Sequence, residues 1–153
     1  MKKNLLVFSI LCAFVSSQAS AGVSTYTNAD GEPLSIDHIQ LYMSDALPAS
    51  LVEAIRAAAR DTNAGLGREA VGVSSKLEAG VRAEQDMVST ITLGGPERFE
   101  EPSERIAGSA YWIDTTILET DVQFNPERLN KDVLEDAQAR EALKKFLKLL
   151  IKE

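Results

Sequence analysis

"LPASLVEAIRAAARDTNAGLGREA", residues 47 to 70, is where the chain changes period, and that change sets the fold class. Leu51, Ile55, Ala58 and Ala59 recur at helical spacing. Ser50 and Glu53 match the Ser-x-x-Glu capping box, and Asn63 to Gly65 supplies a stop. The segment before it alternates instead. In Ile36 to Met43 the side chains of Ile39, Leu41 and Met43 share one side, and His38 falls on the other with Ile36 and Tyr42, which predicts a half-buried strand.

Beyond the helix, Val71 to Ser75 and Met87 to Leu93 read as strands, the second stopped by Gly94-Gly95-Pro96. Glu97 to Arg105, rich in glutamate, reads as an exposed loop. Ser109 to Ile113 and Ile117 to Phe124 return to strand, the latter with Leu118, Val122 and Phe124 on one face and Glu119, Asp121 and Gln123 on the other. Either Asn130 or Asp132 can cap a final helix that runs to the end with Leu143, Phe146, Leu147 and Leu150 as its apolar stripe. A strand, a helix, four strands and a helix predict an α/β (α+β) fold: a mixed, twisted sheet of about five strands with one long helix after the first strand and a C-terminal helix.

The first residues have a different character. Lys2 and Lys3 precede an apolar run, Leu5 to Val15, and Ala19-Ser20-Ala21 has the small-x-small pattern of a cleavage site. The expected organisation is a signal peptide at 1–21, a flexible lead-in at 22–35 and a single domain at 36–153. Cleavage after residue 21 of 153 leaves 132 residues without cysteine, because Cys12 departs with the leader. It also moves the formal charge from −7 to −9, since Lys2 and Lys3 leave and no acid does. Export to a periplasm or the extracellular space is the expectation. An acidic surface of this size repels nucleic acid and anionic lipid.

Two stretches then belong together. The Leu47 to Ala70 segment resembles the first long helix of matrixin-like metzincin metalloproteases. "ILETDVQFN", residues 117 to 125, is similar to the strand that family places just before its active-site helix. The resemblance covers about Ile36 to Asn125 and implies a metzincin-like sheet, with zinc as the family's cofactor. The family's chemistry resides in His-Glu-x-x-His-x-x-Gly-x-x-His, where three imidazoles hold the metal and the glutamate is the general base. This chain has one histidine, His38, and so cannot assemble that site.

Laid over the family's helix, the last helix puts Arg140 and Lys144 at two ligand positions, Glu141 at the general base, Leu147 at the glycine and Leu150 at the third ligand. Neither a guanidinium nor an ammonium offers zinc a lone pair. No catalytic residue is therefore expected beyond Glu141 under this alignment, and no cofactor. Asp121, Asn125 and Glu127 offer oxygen donors to calcium, but three oxygens fall short of its shell of about six to eight, and strand-exit and turn roles explain them better. Glu119 and Asp121, alternate on one strand face, have the spacing of an acid/base pair or of an ordinary solvated edge.

Three functional readings stay open from the residues: a shortened metzincin protease, a catalytically inactive metzincin-like binding or inhibitory module that pairs an edge strand with an extended peptide or a protease, and an unrelated small periplasmic α/β protein. The C-terminal helix, with Lys144, Lys145, Lys148 and Lys152 beside large apolar residues, is a basic amphipathic segment whose apolar stripe packs on the sheet or docks on a membrane.

Overall fold

The computed structural model describes residues 13–15, 27–74 and 88–153. Its strands are β1 (Ala13–Val15), β2 (Ile39–Met43), β3 (Val71–Ser74), β4 (Ser89–Leu93), β5 (Ile106–Ile113) and β6 (Thr116–Phe124), with helices α1 (Ala49–Leu66) and α2 (Ala137–Leu150). They form one mixed sheet in the order β1-β5-β6-β4-β2-β3. β3, β2, β4 and β6 run parallel, and β5 pairs antiparallel with β6. The expected α/β class is what the chain adopts: the five strands β2 to β6 with a long helix after the first, a helix at the end, and the three-residue β1 added beside β5. The signal-peptide and cleavage readings lie outside the described residues apart from 13–15.

Alternation explains the strands. Ile39, Leu41 and Met43 are buried while Gln40 and Tyr42 between them are half-buried. They meet Ile91, Ile106, Val122 and Phe124 in a single core, which α1 enters with Leu51, Ala54, Ile55 and Ala58, and α2 with Leu143, Phe146, Leu147 and Leu150. The apolar stripe of α2 is thus buried in its own domain rather than offered to a membrane. Among the described residues no helix is long and apolar enough to cross one.

The helix ends differ from their sequence reading. The N-cap of α1 is Pro48, without a side-chain cap bond. Ser50 lies inside the first turn, where its Oγ donates to the Asn130 carbonyl (2.8 Å), a partner 80 residues away that replaces the capping box. The helix runs past Asn63 to Leu66 and stops at Gly67, whose φ of 72° is left-handed and whose N–H bonds the Asn63 carbonyl. Neither Asn130 nor Asp132 caps α2. Asp136 does, accepting from Ala139 N (3.1 Å) with one oxygen and from Asn130 N (2.8 Å) with the other.

Asn63 also joins α1 to β3. Its Oδ1 accepts from Ala70 N and Val71 N, both at 2.8 Å, and its Nδ2 donates to the Val71 carbonyl at 3.0 Å. In the interior of the sheet β6 is irregular. Tyr111 pairs with Glu119 but Trp112 with Ile117, so Leu118 is an extra residue and the strand changes phase there. Ile117 consequently takes the core position that alternation assigns to Leu118, which is half-buried.

Two further expectations are corrected. Part of the lead-in at 22–35 is built into the fold: Leu34 is buried, Ser35 N donates to Thr115 O, and Ile117 N donates to Ser35 O. Ile36 precedes β2 and instead bridges Ile151, with Ile36 N on Leu150 O and Lys152 N on Ile36 O. The segment Glu97 to Arg105 is more than an exposed loop, since a 3-10 turn at Pro96–Arg98 leads into buried Phe99 and Glu104.

Burial raises the Glu104 carboxyl above the usual carboxylate range; main-chain hydrogen bonds from Glu100 and Glu101 oppose this, and the negative charges of the same two residues add to it. A raised carboxylate binds more protons in the folded than in the unfolded chain, so it lowers stability as pH rises through that window. Glu104→Gln, which keeps an acceptor for Glu100 N, is expected to raise the melting temperature by a few degrees at pH 7 and to lose that advantage near pH 4. Parallel melting curves at both pH values would contradict this.

Candidate functional site

The residues that the alignment sets at the zinc positions are engaged in other contacts. Arg140 sits on α2 with its guanidinium on Asp61 of α1 (2.7 Å) and on Glu135 (2.7 Å), and Lys144 reaches Asp61 at 3.2 Å and Glu141 at 3.3 Å. The two cations clamp α2 to α1. Hydrogen bonding to Arg140, the largest effect, and then to Lys144 holds Asp61 below the usual carboxylate range, while Glu135 and Asp61 raise Arg140, and Asp61 and Glu141 raise Lys144. Leu147 and Leu150 are fully buried, and the Glu141 side chain is mostly exposed. These residues do not fit a zinc centre.

His38 is exposed, just ahead of β2. Among the described residues no group of three or more His, Cys, Asp or Glu is arranged to hold a metal ion. Prolonged dialysis against a chelator is therefore expected to leave the melting temperature unchanged, as is addition of zinc. A zinc-dependent rise would contradict the ligand argument.

The calcium candidates are drawn into separate bonds. Asp121 Oδ1 accepts from Thr90 N (3.0 Å) and Thr90 Oγ1 (2.8 Å). Asn125 Nδ2 donates to Glu104 O (2.9 Å), and its Oδ1 accepts from Glu127 N (3.1 Å), which caps the turn Pro126–Arg128. Glu127 itself is exposed. Asn125 has the turn role that the sequence allows it.

Asp121 is instead a buried strand residue, and so is Glu119, with relative exposures of 3% and 0%. The solvated-edge reading of this pair is corrected: Glu119 Oε2 accepts from Val88 N (3.2 Å), and both carboxylates bond main-chain N–H groups at the start of β4. Ser89 Oγ accepts from Thr120 N (3.0 Å), so side chains on both strands tie β4 to β6 next to their regular ladder. Hydrogen bonds of this kind gain strength from being shielded from water.

The surface with an unmet capacity is the outer edge of β5. This eight-residue strand gives its inner edge to β6 along its whole length. On the outer edge, Ile106, Ala107 and Gly108 pair antiparallel with Val15, Phe14 and Ala13. Ser109–Ile113 have no strand partner on that side among the described residues. Tyr111 and Trp112 are half-buried there, Trp112 packing in part against the core. Free strand edges are templates for another extended chain.

No family model matches the chain, and no curated protein or solved structure is similar to it.

Proposed function

We propose that this chain is an exported, matrixin-like domain without zinc-dependent catalysis, which binds an extended peptide or a protease segment along the outer edge of β5. One observation carries the reading. β5 accepts an antiparallel strand at Ile106–Gly108, and that strand comes from the segment the sequence reads as a removable leader. Cleavage after Ala21 would release the three residues and open the edge from Ile106 to Ile113 in the periplasm or outside the cell. The family relationship draws support from the order of elements, a long helix after the first core strand and a second helix after the strand Thr116–Phe124. Its catalytic loss follows from the single histidine and the cationic residues at the ligand positions.

Fluorescence anisotropy with a labelled apolar decapeptide, applied to the chain after leader removal, tests this. Binding should come with slowed amide exchange in Ser109–Ile113 and should vanish when alternate peptide nitrogens are methylated, because those N–H groups make the ladder. Equal binding of the methylated peptide, or no binding of either, would sink the proposal.

A further inference from the structure

The opposite end of the sheet carries a second, chemically different edge. β3 pairs only with β2 among the described residues, and α1 overhangs it. Between them lies an open groove of about 620 Å³ whose lining includes Arg56, Arg60, Asn63, Val71, Val73 and Ser74. Arg68, Arg105, Arg128 and Arg140 are each held by hydrogen bonds, whereas Arg56 and Arg60 are exposed and make no ion pair among the described residues. On a chain of net charge −7 this is a local reversal of sign.

The main chain of β3 supplies the second argument. Ala70 O accepts from Ile39 N, so the Ala70 carbonyl and the peptide groups of Gly72 and Ser74 turn to β2, and Val71 and Val73 turn theirs outward. The Asn63 carboxamide already bonds both the N–H and the C=O of Val71, as a peptide group of a neighbouring strand would. It occupies the edge at that point and leaves Val73 as the next outward-facing residue, inside the groove. Spacing completes the match. Arg56 and Arg60 are one helical turn apart, about 6 Å along α1, and alternate residues of an extended peptide are about 6.6 Å apart.

We propose that this groove binds an acidic extended peptide, which adds to β3 at Val73 while two carboxylates at alternate positions pair with Arg56 and Arg60. The guanidinium fork suits carboxylates, and the Asn63 carboxamide fixes where the added strand begins. This site is independent of the β5 edge and needs no leader removal.

The test uses the full chain with two labelled octapeptides of alternating valine and glutamate or valine and lysine. The glutamate peptide should bind and slow amide exchange at Val73, with Ser109–Ile113 unaffected. The double charge reversal R56E/R60E, on exposed side chains, should keep the circular dichroism spectrum, weaken the glutamate peptide at least about tenfold and favour the lysine peptide. Equal affinity for both peptides, full retention in R56E/R60E, or no protection at Val73 would overturn the proposal. Competition by free glutamate at equal concentration would also overturn it, since a site for small anions needs no strand.

Discussion

Leu147→Asp is expected to abolish the cooperative thermal transition. Leu147 is fully buried in the cluster where α2 meets α1 and the sheet. Removing a buried leucine costs about 2–5 kcal/mol, and an unpaired carboxylate in its place adds several more or forces the group to take a proton. A domain of this size has a total stability of about 5–15 kcal/mol, so the substitution takes most or all of it. Leu134→Asp is the matched control, because Leu134 is 92% exposed and should melt like the parent. Circular dichroism melts of the two variants decide the matter: equal transitions would mean that α2 does not pack as described.

Asn63→Ala ranks second. It removes the acceptor of two main-chain N–H groups and the donor to one carbonyl, all at the junction of α1 and β3. Half-buried groups left without partners cost about 1–3 kcal/mol each, less where water reaches them, so about 2–4 kcal/mol is expected in total. Urea unfolding should show a lower midpoint with an unchanged slope. A loss below about 0.5 kcal/mol would show that water replaces the carboxamide without penalty.

The fold was largely legible because periodicity survives tertiary context. The alternation of Ile39, Leu41 and Met43, and the stripe of Leu143, Phe146, Leu147 and Leu150, became the two sides of one core. What was misread depended on partners distant in sequence. Ser50 had the right neighbour for a capping box, but a carbonyl 80 residues away claimed its hydroxyl. Asn130, Asp132 and Asp136 are all able to cap, and only Asp136 also accepts from Asn130 N.

Glu119 and Asp121 had the alternation of a solvated edge, and nothing local announces that β4 offers them main-chain donors. The arginine groove escaped notice for the opposite reason. Arg56 and Arg60 lie on the polar side of an amphipathic helix, where charges are ordinary, and their importance comes from the strand edge beneath them. A helix-face inspection for paired arginines over a predicted edge strand is the signal that would have found it.

The bridge between Ile36 and Ile151 also has a meaning in time. Ile36 N bonds Leu150 O, Lys152 N bonds Ile36 O, and Arg68 Nη2 reaches Lys152 O at 2.6 Å. Nearly the whole described chain separates these partners, so the seam closes only after residues 150–152 have left the ribosome. Until then the nascent polypeptide lacks the contacts that hold α2 against the start of β2. Closing that seam is therefore the last step of folding, and it follows synthesis instead of accompanying it.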